Sequence, residues 1–298
     1  MFFPTEIIFS PTNSCNLHCE HCFVERNSQN LQIQSAKNFI QSCLDYDEKT
    51  LETEKSGKIE KIGFTGGEPF LYLEFLCEII KFSVEKELLF DQIITNGDWW
   101  KNENDLLQKL QKLYNSGYDG KIAISYDIFH GQNKERIEFF IKTVQNLFGE
   151  NSVNIQTVDS KKSLPKLNTN VEIFHLSQTF PCENENAWKS KHWFKDDFCE
   201  GPGQILYVHS NGKIAHCCGF ANENQNLFIG DINQSFEEIL ENAKKNKMIN
   251  IVYNFGLEKY RKFLKKQKIK FPGKTSDICS FCDFICKNNF DDIYGGKK

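Results

Sequence analysis

Residues 10–27 read SPTNSCNLHCEHCFVERN, and the spacing of Cys15, Cys19 and Cys22 within them decides how the rest of the chain is read. Three cysteines in so short a span are one ligand short of a closed tetrahedral site. No histidine pair stands nearby at the usual zinc spacing, although His18 and His21 lie inside the loop. Three thiolates can instead hold three irons of a [4Fe–4S] cluster and leave the fourth iron open to an outside ligand.

The surroundings of this loop have a regular rhythm. Short apolar strands are expected at 6–10, 61–65, 92–96, 122–126, 153–158 and 171–175, with amphipathic helices at 36–46, 73–87, 104–115 and 136–148 between them. Gly117 and Gly149 follow two of the helices as terminators. Strands alternating with helices imply a parallel sheet with crossover connections. Six such units close only part of an eight-stranded barrel. Chemistry in parallel α/β folds gathers at the carboxyl ends of the strands. The cysteine loop, TGGEP (65–69), TNG (95–97) and SYDIFH (125–130) all fall at such ends.

After residue 177 the rhythm changes. QILYVHSNGKIAHCC (204–218) reads as a hairpin around Asn211-Gly212, helices are expected at 236–245 and 257–266, and DICSFCDFIC (277–286) reads as a cysteine knuckle. The expected fold class is thus α/β: a partial (β/α)6 TIM-like barrel over residues 1–176 and a small C-terminal domain of hairpin plus helices over 177–298. The two parts are expected to pack together.

Composition narrows the function. With 298 residues, 40% apolar and 26% charged, the chain is ordinary globular material. A net charge of −4 gives no nucleic-acid footprint, and the one basic run, Lys265, Lys266, Lys268 and Lys270, fits a solvated helix end. No signal peptide or membrane span is legible, so a cytoplasmic location is expected. Twelve cysteines in a reducing compartment argue for metal ligation or thiol chemistry. Cys43 and Cys77 stand at core positions of helical patterns, while Cys182 is left open.

Cys-x3-Cys-x2-Cys after the first strand, with Gly66-Gly67-Glu68-Pro69 after the second, resembles the radical SAM (S-adenosylmethionine) enzymes. The resemblance implies a [4Fe–4S] cluster on Cys15, Cys19 and Cys22, and SAM chelating the open iron through its amino acid end. Glu68 and the backbone around Gly67 would hold the SAM amino group, and Gly66, Pro69, Asn96, Ser125, Asp127 and Gln156 would complete the pocket. Reductive cleavage of SAM to a 5′-deoxyadenosyl radical is implied as the first step. His21 stands where family members often carry an aromatic residue.

Cys199, Gly212, Cys217, Cys279 and Cys282 resemble the opening of a SPASM domain. Cys286 follows at x3 and the later cysteines of a full domain are missing, so one auxiliary [4Fe–4S] cluster on Cys199, Cys217, Cys279 and Cys282 is implied. A zinc knuckle of the same four residues is the rival, and Cys286 or Cys182 could replace a ligand. CCGFA, ISYDIFH, TNGDWW and DICSFC together are similar to radical SAM peptide epimerases. By that resemblance Cys218 donates a hydrogen atom to a Cα radical, giving a D-residue in a ribosomally made precursor peptide. Cys218 could equally pack in the hairpin or replace Cys217 as ligand. Epimerases place a carboxylate on the first hairpin strand, where this chain has Gln204. Asp127 and His130 could contact substrate or SAM, or cap a strand end. A flavodoxin- or ferredoxin-like electron donor is the expected second partner. With the barrel pattern starting at once, peptide recognition is expected from the barrel, the C-terminal part or a separate protein. The alternatives are a peptide crosslinking enzyme and a non-enzymatic cluster- or zinc-binding partner protein.

Overall fold

The computed structural model describes residues 2–19, 21–50, 58–158, 167–176, 178–195, 199 and 204–288. Its frame is one nine-stranded sheet in the order β6-β5-β4-β3-β2-β1-β7-β8-β9. Strands β1 (Glu6–Phe9), β2 (Lys61–Phe64), β3 (Leu89–Thr95), β4 (Lys121–Ser125), β5 (Val153–Thr157) and β6 (Glu172–His175) pair in parallel, each with its neighbour in sequence. Helices α1 (Ile33–Thr50), α2 (Leu73–Glu85), α3 (Glu103–Asn115) and α4 (Lys134–Phe148) make the crossovers. All six strands and four helices expected from periodicity are present, with ends displaced by a few residues. Gly149 closes α4 at φ +100°, a conformation that L side chains rarely adopt.

One face of this sheet packs on the helices. Ile7, Phe9, Ile62, Phe64, Ile93, Ile122, Ile124 and Ile155 are buried there against Phe39, Ile40, Phe75, Ile79, Leu110 and Phe140. Strand residues two apart share a face, so Glu6 and Ile8 face the other side of β1. That inner side is more polar, and Gln92 and Gln156 meet across it.

The C-terminal part extends the same sheet. β7 (Ile205–Val208) pairs in parallel with β1, from Glu6 opposite Ile205 to Phe9 opposite Val208. β7, β8 (Lys213–Ala215) and β9 (Phe228–Asp231) then form an antiparallel meander turning at Asn211-Gly212, where Gly212 has φ +82°. The hairpin placed in a separate small domain is therefore bonded edge to edge to the barrel. The proposed division falls at residue 177, which lies outside the described residues.

α5 (Phe236–Lys245), a single turn α6 (Lys247–Ile249), a π-helical stretch (Asn250–Phe255), α7 (Leu257–Lys266) and α8 (Ile278–Asn288) follow. Ser235 and Glu238 form a reciprocal capping box at the start of α5. The cysteine knuckle is in fact α8, its first turn held by Asp277, whose carboxylate accepts from the Cys279 N–H at 2.8 Å and the Ser280 hydroxyl at 3.0 Å. Cys279, Cys282 and Cys286, three and four residues apart, fall along one side of this helix. A second core, rich in aromatic side chains, joins Trp188, Tyr260, Leu264, Phe281 and Phe284 around Cys217 and Cys286.

Candidate functional site: two cysteine centres

The loop after β1 and the glycine turn after β2 are zipped together. Gly67 and Glu68 donate their N–H groups to the carbonyls of Thr12 and Ser14, at 2.9 and 2.8 Å. Gly66 has φ +126°, and a Cβ there would stand 2.7 Å from the Ser10 hydroxyl. A Cβ on Gly67 would collide with the Ser14 carbonyl. Both glycines are needed so that the turn can lie against the cysteine loop. Pro69 opens the short 3-10 helix Pro69–Tyr72, and it is buried.

This clamp frames a cavity of about 210 Å³ lined by Cys15, Cys19 and Cys22 together with His21, Arg26, Gly66, Gly67, Asn96, Ser125 and His130. The three thiols open onto one space, and no fourth cysteine among the described residues lines it. That donor set fits a [4Fe–4S] cluster held by three cysteines with one iron left open. Cys15 Sγ accepts from the Leu17 N–H at 3.4 Å and the Asn96 amide at 3.8 Å, and burial raises its thiol.

Three expected pocket residues are used otherwise. Glu68 is fully buried. One carboxylate oxygen accepts from the Phe70 N–H (3.1 Å) and the Thr95 hydroxyl (2.8 Å), and the other from the Asn96 N–H (2.8 Å). It pins the end of β3 to the glycine turn and does not line the cavity. Burial pushes its pKa up to about 7, with the three hydrogen bonds opposing. Asp127 is a strand-end cap: one oxygen accepts from the N–H groups of Phe129 (2.9 Å) and His130 (3.2 Å) and meets His130 Nδ1 at 2.7 Å. Gln156 turns to Gln92, at 3.2 Å.

His130 does reach the cavity. Burial lowers its pKa, but the hydrogen bonds and charges of Asp127 and Cys19 outweigh that and bring it up to about 9. Its ring lies 4.8 Å from that of His21, centroid to centroid.

Two residues were missed in the sequence. Gln132 donates its amide to the carbonyls of Asn96 and of Ser125, the latter at 2.7 Å, tying the ends of β3 and β4. Arg26 lines the cavity with a buried Nη1 that has no hydrogen-bond partner. Its only sequence signal is a cation four residues past the third cysteine.

The second centre is apolar. Cys199, Cys217, Cys279 and Cys282 line one cavity with His216, Ala221, Val252, Leu257 and Ile278. The sulfurs of Cys217 and Cys279 both lie within 3.7 Å of where a Cβ on Gly219 would stand, and the Gly219 N–H donates to Cys217 Sγ at 3.3 Å. Burial and neighbouring thiols raise the pKa of Cys217, and burial, the Asp277 carboxylate and the thiols raise that of Cys279. A cationic iron centre reverses that balance, so the donor set fits a metal or cluster. Cys286 interacts with Cys282 without lining the cavity. Cys182 also stands outside it. The Cys182 N–H donates to Asp283 at 2.9 Å, and burial together with Asp283 pushes its thiol up to about 12.

Comparison with known proteins decides the family. Residues 9–147 match the radical SAM superfamily, and residues 199–283 match the SPASM iron–sulfur cluster-binding domain. The chain belongs to the radical SAM superfamily. Its cofactors are accordingly a [4Fe–4S] cluster and SAM, with auxiliary iron–sulfur binding in the SPASM domain. It is 27% identical over 299 residues to YydG of Bacillus subtilis (strain 168), whose name assigns it to peptide biosynthesis; the match covers 90% of this chain and 88% of that one. It is 32% identical over 253 residues to the uncharacterized protein MJ0907 of Methanocaldococcus jannaschii, covering 71% and 84%. In fold it is similar to Streptococcus suis SuiB bound to precursor peptide SuiA, with TM-score 0.54, 14% identity and coverage of 95% and 76%. It is likewise similar to native anSMEcpe with bound AdoMet, with TM-score 0.52, 15% identity and coverage of 98% of both chains. Among the described residues no helix is long and apolar enough to cross a membrane.

Proposed function

We propose that this protein modifies a ribosomally made precursor peptide by removing a Cα hydrogen, converting an L-residue to a D-residue with Cys218 as hydrogen donor. Similarity to YydG, a protein named for peptide biosynthesis, supports the substrate class. When bound, the cluster and SAM supply the 5′-deoxyadenosyl radical that abstracts the hydrogen. Cys15, Cys19 and Cys22 would hold that cluster, Asn96, Ser125 and His130 would line the SAM pocket, and Arg26 offers a free cationic N–H to a carboxylate. Cys199, Cys217, Cys279 and Cys282 would hold one auxiliary cluster.

The observation that carries the epimerase reading is the state of Cys218. It is exposed, it lies outside the four-thiol cavity, and it adjoins Cys217, which is inside. Part of the residue reaches solvent while its sulfur is packed among protein atoms; that burial first, and the Glu6 carboxylate second, raise its pKa and favour the protonated thiol. Glu6 is the first residue of β1 and the cysteine loop follows the last, three steps or about 10 Å away. Cys218 lies within electrostatic reach both of Glu6 and of Tyr207, whose side chain bonds Ser10 just ahead of the cysteine loop. After donation the sulfur is one electron and one proton short; a flavodoxin- or ferredoxin-like reductant and solvent would restore it.

Incubation of anaerobically reconstituted enzyme with SAM, reductant and the precursor peptide in D2O should add one deuterium per modified residue. Loss of two hydrogens would instead identify crosslinking. Cys218→Ala should still release 5′-deoxyadenosine while the D-residue disappears; an unchanged D-residue yield excludes Cys218.

A further inference from the structure

His216 is deeply buried, with 1% of its surface exposed. It lines the four-cysteine cavity, and neither ring nitrogen has a hydrogen-bond partner beyond its own residue's backbone. A buried imidazole with no outside partner carries an uncompensated desolvation cost. Its other neighbours explain nothing, because they are aromatic faces and edges: Phe2 at 6.2 Å and Tyr253 at 6.2 Å.

Tyr253 repeats the pattern. Its hydroxyl is buried and has no partner. It also lies near enough to Cys199, Cys217, Cys218 and Cys282 that their charges act on it, three of these four being lining thiols of the cavity. Two buried donors without acceptors thus converge on one set of thiols. Every neutral histidine carries one ring N–H whichever tautomer it adopts, and a tyrosine carries one O–H. What is missing is an acceptor, and thiolate or sulfide sulfur is the acceptor that an iron–sulfur centre in this cavity provides.

We infer that His216 and Tyr253 are positioning residues that donate hydrogen bonds to the sulfurs of the auxiliary cluster. The inference rests on the assignment of Cys199, Cys217, Cys279 and Cys282 as its ligands. Hydrogen bonds to sulfur favour the more negative, reduced state of a cluster and raise its reduction potential. The Gly219 N–H already serves Cys217 from the backbone, and the two side chains add further donors. A donor placed directly before ligand Cys217 also has its distance to the cluster fixed by the chain.

The test uses the full-length, anaerobically reconstituted protein. Iron and sulfide analysis comes first: about eight irons per chain mean two clusters and about four mean one. Only four in the wild type would remove the auxiliary ligand set itself, whatever His216 does. With eight present, His216→Phe keeps the ring and removes the N–H. We expect it to retain its iron, to lower the auxiliary potential in an EPR-monitored titration, and to lose a strongly coupled exchangeable proton in pulsed EPR. Adding SAM identifies the other cluster, whose signal alone it alters. His216→Gln, which keeps an N–H, should recover part of the potential, and Tyr253→Phe should shift it in the same direction by less. An unchanged potential with the proton signal intact overturns the inference. So does a directly bonded nitrogen in the wild-type spectrum, or loss of auxiliary iron in both His216 variants, since either makes His216 a ligand.

Discussion

The two cysteine centres are built on opposite plans. Cys15, Cys19 and Cys22 come from one short loop at a strand end, are half-buried or exposed, and face a cavity that Arg26 lines with a buried Nη1 lacking a hydrogen-bond partner. Cys199, Cys217, Cys279 and Cys282 come from three distant segments and close around an apolar space. A ligand set carried by one loop can leave a side open for exchange. A set gathered from three segments holds those segments together, so its loss is a loss of structure. The first arrangement suits a centre where an outside ligand must bind, the second a centre that ties the fold together.

Removing ligands breaks the comparison most directly. Cys15→Ala, Cys19→Ala or Cys22→Ala should reduce 5′-deoxyadenosine formation at least a hundredfold while leaving about four irons per chain and a normal unfolding midpoint. Cys279→Ala or Cys282→Ala should do the reverse, losing auxiliary iron and lowering the midpoint, because α8 anchors the aromatic core around Phe281 and Phe284. Equal destabilisation by both sets, measured by anaerobic denaturant unfolding, would erase the distinction.

Next in size is the clamp between the glycine turn and the cysteine loop. Gly67→Ala drives a methyl into the Ser14 carbonyl and should cost about 3 kcal/mol, with poorer cluster incorporation. Glu68→Ala leaves the Thr95 hydroxyl and the Asn96 N–H buried without their acceptor, a loss of about 2–3 kcal/mol. Glu68→Gln should be milder, since its carbonyl still accepts one of those bonds. If Glu68 instead met the SAM amino group, Glu68→Gln would weaken SAM binding in proportion to activity and leave stability alone. Isothermal titration with SAM beside an unfolding curve separates the two.

Much of the first centre could be read from local pattern. Three cysteines in one loop and glycines at the next strand end need no knowledge of distant contacts, and alternating apolar periods gave the six strands and four helices. The orientation of Glu68 could not be read, because it depends on Thr95 and Asn96 lying beside it on β3, about 27 residues away in sequence. The pairing of β7 with β1 joins segments some 200 residues apart, and no local period encodes a partner at that range. DICSFCDFIC looked like a knuckle because its cysteine spacing drew the eye from a helical period in Ser280, Phe281, Phe284 and Ile285. His216 was hidden for a different reason: a histidine beside a ligand cysteine has no spacing signature, and only its burial without a partner marks it.

The smallest effect concerns the inner end of β1. Glu6 has its pKa raised to about 7, first by burial and then by the charge of Asp91, with Lys61 opposing. In the unfolded chain the same carboxyl titrates near 4.5. Between those values the folded protein holds a proton that the unfolded chain has released, so stability falls as pH rises through this window and levels above about 7. Glu6→Gln removes the titration and should flatten that part of the profile, changing the midpoint by about 2 °C at pH 7.5 and less at pH 5. The measurement is anaerobic thermal unfolding of both proteins from pH 4.5 to 8. An identical slope in the variant would mean that Glu6 is already ionised in the fold, and with it the charge acting on Cys218 would be permanent.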